Sequence, residues 1–191
     1  MKRNNMDKLD AIFSPQTIAV IGASTQKGKV GHDIFANILS GGYTGTLYPV
    51  NPKAKSVLSV KCYTSISAIP DPIDLAMVIL PPNAALASVR DCIAKGVKGI
   101  VIVSAGFKEV GGEGARIELE IKALCRQASV RLVGPNCLGV INPSPKVSLN
   151  ASFSARMPNP GNVSFISQSG ALCTAVLDYA ADKGFGFSKF I

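Results

Sequence analysis

The segment Thr17-Ile18-Ala19-Val20-Ile21-Gly22 is a short apolar run, rich in β-branched residues, that ends in glycine. A run of this kind predicts a strand that is buried on both faces of a parallel sheet. After a polar loop, apolar residues recur at helical spacing over residues 30–39, and Gly41-Gly42 ends the predicted helix. These two elements open a βαβ unit.

The same alternation continues along the chain. The apolar strand pattern recurs over residues 46–50, 75–80, 99–103 and 130–133. Helical spacing recurs over residues 83–95 and in the stretch that follows the glycine-rich loop 111–114. Strands that alternate with helices predict an α/β fold, in which a doubly wound parallel sheet has right-handed crossovers and helices on both faces. Ligands of such sheets bind beyond the carboxyl ends of the strands.

A change of pattern near residue 142 predicts a domain boundary. Residues 142–161 are rich in Pro, Ser and Asn and have weak periodicity, which is typical of a linker. A strand over 162–167, a helix over 171–183 and the opening of a strand at 187–191 follow. We therefore predict one domain over 1–150 and, over 151–191, a linker and the first βα unit of a second α/β domain. Such a unit cannot bury both faces of a sheet, so we expect the natural protein to be longer.

Composition limits the classes of protein to which the chain can belong. Its 191 residues are 47% hydrophobic and 17% charged, which excludes intrinsic disorder and allows a core without disulfides. No stretch approaches the roughly eighteen apolar residues of a membrane span. The N-terminus also lacks the apolar core of a signal peptide. We expect a soluble, cytoplasmic protein with no membrane partner.

Few residues are available for metal or redox chemistry. The five cysteines are an odd number and none forms a C-x-x-C motif, so we expect reduced thiols without disulfides or zinc. His32 is the only histidine, which excludes a histidine-rich metal centre and leaves few candidates for a general base. We therefore expect no metal site.

Positive charge is concentrated in one part of the chain. The net charge is +8, and residues 24–63 combine a single acid, Asp33, with a group of lysines: Lys27, Lys29, Lys53, Lys55 and Lys61. A polyanionic ligand fits this region. Nucleic acid is disfavoured as that ligand because the chain has no Trp and only 6% aromatic residues for stacking. A solvated lysine-rich surface is the alternative interpretation.

The loop after the first strand predicts a phosphate site, because free N–H groups and the helix dipole favour an anion there. A dinucleotide site requires G-x-G-x-x-G, but its glycine positions are here Gly22, Ser24 and Lys27. It also requires an acid after the second strand, where this chain has Asn51-Pro52-Lys53. A Walker A motif is absent from the sequence as well. Coenzyme A fits better, since its pyrophosphate suits the loop and its ribose 3′-phosphate suits a lysine.

Motifs spread over the whole chain resemble one family. They are Ile18-Ala19-Val20-Ile21-Gly22-Ala23-Ser24, Tyr48-Pro49-Val50-Asn51-Pro52-Lys53, Ser104-Ala105-Gly106-Phe107-Lys108-Glu109, Gly134-Pro135-Asn136-Cys137-Leu138-Gly139 and Ser167-Gln168-Ser169-Gly170. In this order they resemble the NDP-forming acyl-CoA synthetases, the ADP-forming acetate–CoA ligases related to the succinyl-CoA synthetase α subunit. The resemblance implies a CoA-binding Rossmann-like domain followed by a flavodoxin-like domain. It also implies that the complete enzyme makes an acyl-CoA, expected to be acetyl-CoA, from acid, CoA and ATP, or runs the reverse reaction, through an acyl phosphate and a phosphohistidine.

The resemblance further implies which residues bind CoA. They are Gly22, Ala23, Ser24, Thr25, Lys27, Lys53, Pro81, Ser104, Ala105, Gly106 and Asn136. Within this set residues 24, 25 and 27 are expected along the phosphates, Lys53 is expected to pair with a phosphate, and residues 104–106 are expected to line the thiol arm. Pro81 and its neighbour Pro82 are expected to shape the path of the adenine or the pantetheine.

Two pairs of residues are expected near the reactive end. The resemblance implies that Asn136 and Cys137 lie close to it, and that Ser169 and Gly170 offer N–H groups to the phosphate of the phosphohistidine. Cys137 is expected to be a small buried side chain rather than a nucleophile, because no histidine lies nearby in the sequence to activate it.

The chain departs from the complete enzyme in one respect. The phosphorylated histidine of the family belongs to the second domain, beyond Ile191, and His32 in the first crossover helix is not given its role. We assign no catalytic residue and expect the chain alone to be inactive. The expected partners are CoA or acyl-CoA and an ATP-grasp domain or β subunit that binds ATP and Mg²⁺, and an oligomer is compatible with the sequence. The alternative function is an acyl-CoA-sensing regulatory region of a protein lysine acetyltransferase.

Overall fold

The computed structural model describes residues 7–191. In chain order its main elements are α1 (Asp7–Phe13), β1 (Thr17–Ile21), α2 (Val30–Ser40), β2 (Thr46–Val50), β3 (Ser56–Val57), β4 (Val60–Lys61), β5 (Leu75–Val78), α3 (Pro82–Lys95), β6 (Gly99–Ile102), α4 (Gly112–Gln127), β7 (Arg131–Val133), β8 (Gly139–Asn142), β9 (Leu149–Ser152), β10 (Pro160–Phe165), α5 (Gly170–Lys183) and β11 (Phe187–Phe190). Within the described residues, no helix is long and apolar enough to span a bilayer.

A five-stranded parallel sheet forms the centre of the molecule, with the strand order β2-β1-β5-β6-β7. The predicted α/β fold with a doubly wound parallel sheet is confirmed. The chain places β2 on one side of β1 and all later strands of this sheet on the other. The order therefore reverses between β1 and β5, and loops that leave these two strands diverge to leave a crevice, where ligands of open α/β sheets bind.

Both faces of this sheet are covered, which explains the continuous apolar runs of its strands. Ala19 and Ile21 point to the face that packs against α3 and α4. Ile18 and Val20 point to the other face, which packs against α1, α2, β8 and β9. All four side chains are buried, and each fully buried isoleucine or valine stabilises the fold by roughly 1.5–3 kcal/mol. A strand with a polar face could not occupy this position.

The structure corrects the interpretation of residues 142–161 as a linker. The strand β9 lies inside this segment and pairs antiparallel with β8. Leu149 and Ala151 pack into the core, while the alternate residues Asn150 and Ser152 are buried and hydrogen-bonded to each other at 2.7 Å. The segment looks like a loop in the sequence because many of its residues are polar. Asn150 and Ser152 can be buried in a strand because their side chains hydrogen-bond to each other.

The last part of the chain forms the predicted βα unit and extends it. α5 connects β10 to the parallel strand β11, and β11 pairs antiparallel with β8 through Phe190 and Ile141. Phe187 and Phe190 are buried with Leu177 of α5. The resulting sheet has the order β10-β11-β8-β9, so it contains strands from both sides of residue 150. The division of the chain into domains at that residue stays a prediction.

Candidate functional site

The loop that follows β1 is held close to its neighbours by two glycines. Gly22 has a φ of +92°, and a Cβ atom there would overlap the carbonyl oxygen of Ile79. A Cβ atom on Gly31, in the first turn of α2, would overlap the carbonyl oxygen of Gly22. Only glycine allows the ends of β1 and β5 and the start of α2 to approach each other this closely. The start of α2 is thereby placed against the crevice between β1 and β5.

Backbone N–H groups accumulate at this loop. Lys29 is the N-cap of α2 and makes no side-chain capping bond. His32 N and Asp33 N donate to Lys29 O at 2.8 and 3.0 Å, so the N–H groups without an intrahelical acceptor are those of Val30 and Gly31. Asp33 accepts a hydrogen bond from Gly28 N at 3.2 Å and contacts His32 Nδ1 at 3.0 Å. The contact with His32 and the hydrogen bond from Gly28 hold the pKa of Asp33 below its usual value, although partial desolvation opposes them. The exposed loop and the open helix end favour an anion.

The end of β2 is tied to the same loop by Asn51. Its Nδ2 donates to the carbonyl oxygen of Ala23 at 2.8 Å, and its Oδ1 accepts from Lys53 N at 2.8 Å. Lys53 and Lys27 are both exposed. Asn51 thus joins the loop after β1 to the segment after β2, and these two segments carry the predicted phosphate ligands.

A cleft of about 380 Å³ opens where the strand order reverses. We call it the switch-point cleft; it is lined by Ile21, Gly22, Val50, Asn51, Pro52, Thr64, Ser65, Ile66, Leu80, Ala84, Ala87, Ser88 and Asp91. Apolar side chains form most of its walls, and polar side chains lie among them, namely Asn51, Thr64, Ser65, Ser88 and Asp91. An apolar slot with polar groups suits a flat heterocycle that has hydrogen-bonding edges. The segment 64–66 and the face of α3 were not predicted as site residues.

A second cleft, of about 350 Å³, lies beyond β5 and β6. We call it the central cleft; it is lined by Val30, Ile79, Val103, Ser104, Ala105, Asn136, Cys137, Leu138, Phe153, Gln168 and Gly170. The structure therefore brings Ser104, Ala105, Asn136 and Gly170 together, although they are far apart in the sequence. Asn136 has a φ of +54° and donates its N–H to the carbonyl oxygen of Ser104 at 2.9 Å. Phe153 and Gln168 are lining residues that sequence reasoning missed.

A third cleft, of about 550 Å³, continues from the central cleft along the end of β7 and the start of α5. It shares Asn136, Cys137 and Gly170 with the central cleft and adds Glu109 and Glu118. Ser169, the N-cap of α5, accepts a hydrogen bond from Leu172 N at 3.3 Å through its hydroxyl. The predicted phosphate ligands at residues 169–170 thus stand at a helix start beside two connected clefts.

Two predicted residues occupy the edges of these clefts. Pro81 is the exposed N-cap of α3, and Pro82 is its first residue. Neither lines the switch-point or the central cleft, but Leu80 before them lines the former. Gly106 lies against Pro82, because a Cβ atom there would be 3.3 Å from its Cγ. The two prolines therefore separate the switch-point cleft from the loop that carries Ser104.

Cys137 is a poor candidate for a nucleophile in the structure as well. Its Sγ lies 3.3 Å from the carbonyl oxygen of Ile102. Burial raises the pKa of its thiol to about 11, so the thiol stays protonated at neutral pH. Within residues 7–191, no group of three or more His, Cys, Asp or Glu side chains could hold a metal ion.

The family is decided by residues 16–143, which match the model of the CoA binding domain. The chain belongs to the CoA-binding domain family. Residues 160–191 match a second family model, the succinyl-CoA ligase like flavodoxin domain. The first match contains the glycine loop, the switch-point cleft and the loop at residues 104–106, and the second contains Ser169 and Gly170.

Similar proteins extend the comparison beyond this CoA-binding domain. The chain is 44% identical to acetate–CoA ligase [ADP-forming] I of Archaeoglobus fulgidus, over 96% of this chain and 26% of that protein. It is 43% identical to the α subunit of acetate–CoA ligase [ADP-forming] II of Pyrococcus furiosus, over 96% of this chain and 39% of that subunit. The predicted resemblance to the NDP-forming acyl-CoA synthetases is confirmed, and the chain spans about a quarter to two fifths of these relatives.

A solved structure has the same fold. The dinucleotide-forming acetyl-coenzyme A synthetase 1 of Ca. Korarchaeum cryptofilum, in complex with phosphate and ADP, matches with a TM-score of 0.89 and 38% identity. The match covers 96% of this chain and 39% of that one. The arrangement of the CoA-binding domain and the following βαβ unit is therefore common to both proteins.

Proposed function

We propose that this chain is the CoA-binding part of an ADP-forming acid–CoA ligase. The observation that carries the proposal is the row of clefts along the carboxyl ends of the parallel strands, which begins at a slot for a heterocycle, passes a glycine loop for phosphates and ends beside α5. CoA has the same sequence of groups, namely adenine, phosphates, pantetheine and thiol. No acetyltransferase is among the relatives described above, so nothing favours the regulatory alternative.

The proposed path of CoA assigns a role to each predicted residue. The adenine lies in the switch-point cleft, and the pyrophosphate lies on the loop that carries Gly22, Ala23, Ser24, Thr25 and Lys27. Lys53 pairs with the ribose 3′-phosphate. The pantetheine passes Pro81 and enters the central cleft along residues 104–106, and the thiol ends near Asn136.

The complete enzyme would supply the remaining chemistry. We propose that it joins an acid, with acetate as the first candidate, to CoA at the expense of ATP, through an acyl phosphate and a phosphohistidine. Ser169 and Gly170 then hold the phosphate of that histidine at the start of α5. ATP and Mg²⁺ bind to an ATP-grasp domain or β subunit, in keeping with the relative that is named as an α subunit. A cytoplasmic location and an oligomer remain predictions.

We expect the 191-residue chain to bind CoA with a Kd that is roughly micromolar or weaker. Dephospho-CoA should bind more weakly than CoA because it lacks the 3′-phosphate, and NAD should bind more weakly than either. Isothermal titration calorimetry with the three ligands measures this order. Tighter binding of NAD than of CoA would overturn the proposal.

Replacing Lys53 by alanine should weaken CoA binding about fivefold, because an exposed charge pair contributes modestly. Dephospho-CoA binding should change less if Lys53 meets the 3′-phosphate. Lys146→Ala is the matched control, because this exposed lysine lies in the β8–β9 turn, away from the proposed CoA site. The turn is placed at the opposite end of the sheet by Asn142, whose Nδ2 donates to the carbonyl oxygen of Phe13, before β1. Equal losses for CoA and dephospho-CoA in Lys53→Ala would place Lys53 on the pyrophosphate instead.

A further inference from the structure

The loop between β6 and α4 is held by carboxylates. Glu109 Oε1 accepts a hydrogen bond from Gly106 N at 2.6 Å, and Glu109 Oε2 accepts one from Phe107 N at 3.2 Å. Glu118 of α4 accepts a bond from Lys108 N at 3.1 Å. Three consecutive N–H groups are therefore bound by two acidic side chains, directly after the residues that line the central cleft.

The two carboxylates have different surroundings. Glu118 is buried at 7% exposure and also binds Lys122 Nζ at 2.6 Å, so it belongs to the packing of the loop against α4. Glu109 is exposed, and its described hydrogen bonds reach only backbone N–H groups of its own loop. These bonds hold the pKa of Glu109 below its usual value, so the side chain is an anion at neutral pH.

Other contacts fix the loop on the side away from the cleft. Phe107 is fully buried in the core between the sheet, α3 and α4. A Cβ atom on Gly114 would overlap the carbonyl oxygens of Gly106 and Phe107, so α4 lies directly against the loop backbone. Gly106 itself has a φ of +102°. Because glycine adopts positive and negative φ values about equally well, its own backbone preference does not hold it in this conformation. Glu109 is the side chain that fixes the N–H of this residue.

We propose that Glu109 is a positioning residue for the thiol arm of CoA, which holds Gly106 so that Ser104 and Ala105 keep their orientation toward the central cleft. The inference rests on the proposed CoA binding. Without the carboxylate, the N–H of Gly106 turns to water, and the segment 104–106 can adopt other conformations. The core contact of Phe107 and the bond of Glu118 remain, so the fold persists while the wall of the cleft loses its order.

The test compares CoA with adenosine 3′,5′-bisphosphate, which lacks the pantetheine arm. In the 191-residue chain, Glu109→Ala should weaken CoA about tenfold, because two charge-assisted hydrogen bonds that order the wall are lost. Binding of the bisphosphate should stay within about twofold of wild type, because that ligand does not reach the loop. Glu109→Gln keeps a carbonyl oxygen that can accept from Gly106 N, and it should recover most of the CoA affinity.

Glu113→Ala is the matched control. Glu113 is an exposed carboxylate in the first turn of α4, and its side chain binds Arg116 rather than the loop. Its removal should leave the affinity for both ligands unchanged. The thermal midpoint of each variant, measured alongside, separates loss of order in the loop from loss of the fold.

The possible results lead to different conclusions. Wild-type affinity for CoA in Glu109→Ala would overturn the inference alone. Equal weakening of both ligands would do the same, and so would a thermal midpoint low enough to show that the loss of CoA binding comes from unfolding. A wild-type chain that does not bind CoA would overturn the proposed function, and the inference with it. Selective weakening of CoA with recovery in Glu109→Gln would support both.

Discussion

Replacing Gly22 by alanine should lower the free energy of unfolding by about 3 kcal/mol, because the new Cβ combines a strained positive φ with backbone overlap. The overlap is with the carbonyl oxygen of Ile79, and Ile79 N is itself bound to Ile21 O at 2.8 Å, so neither strand can move without breaking the ladder. A chain of this size should lose about 10 °C in its thermal midpoint. Differential scanning calorimetry of the variant measures the loss.

Gly28→Ala provides the control for backbone strain without overlap. Gly28 also has a positive φ, +83°, but a Cβ atom there would meet nothing within 4 Å. This substitution should cost about 1 kcal/mol, the usual penalty for a non-glycine residue in the left-handed region. CoA binding should fall far more in Gly22→Ala, because the phosphate loop must shift with Ile79. Equal losses of stability in the two variants would mean that close approach at Gly22 is unimportant.

The parallel sheet could be predicted because its central strands, β1, β5 and β6, are buried on both faces. Segments such as residues 18–21 and Leu75–Val78 are apolar at every position, and the helices between them have one apolar side. These patterns are local, so they are visible in the sequence. The glycine loop was also visible, because the approach of α2 to β1 excludes any side chain at Gly22 and Gly31.

Short and polar elements escaped prediction for physical reasons. The β3–β4 hairpin turns through Leu58 and Ser59, which have φ values of 47° and 65°, whereas the usual signal for such a turn is Asn-Gly. Its strands have only two residues each. The β8–β9 hairpin was hidden because it buries polar residues, which give no apolar strand pattern. Asn142 Nδ2 donates to the distant Phe13 O, and Asn150 Nδ2 donates to the nearby Ser154 O.

The candidate site divides in the same way. The residues that belong to motifs, such as Ser104 and Asn136, meet in the central cleft. Residues 64–66 could not be predicted to line the switch-point cleft. The β3–β4 hairpin brings this segment back to the cleft, and that hairpin was not predicted from the sequence. Tyr63 then pairs with the end of β2, through Tyr63 N to Pro49 O and Asn51 N to Tyr63 O, both at 2.9 Å. Such non-local pairing leaves no signal in the local sequence.

Filling the switch-point cleft should remove CoA binding without harm to the fold. Ala87 is an exposed residue of α3 that lines this cleft, and an indole in its place would occupy the space proposed for adenine. We expect Ala87→Trp to weaken CoA about a hundredfold, through loss of the apolar contacts of the base. Adenosine 3′,5′-bisphosphate should weaken equally, because it carries the same base, which distinguishes this variant from Glu109→Ala.

Ala94→Trp is the matched control for this substitution. Ala94 lies seven residues further along the same helix, which places it on nearly the same side two turns later, and it is exposed and outside the cleft. Both variants add the same side chain to the same surface, so each should change the free energy of unfolding by only about 0.5 kcal/mol. Calorimetric titration should then find wild-type CoA affinity in Ala94→Trp. If Ala87→Trp binds CoA as tightly as this control, the adenine does not lie against this face of α3, and the proposed path of CoA is wrong at its first step.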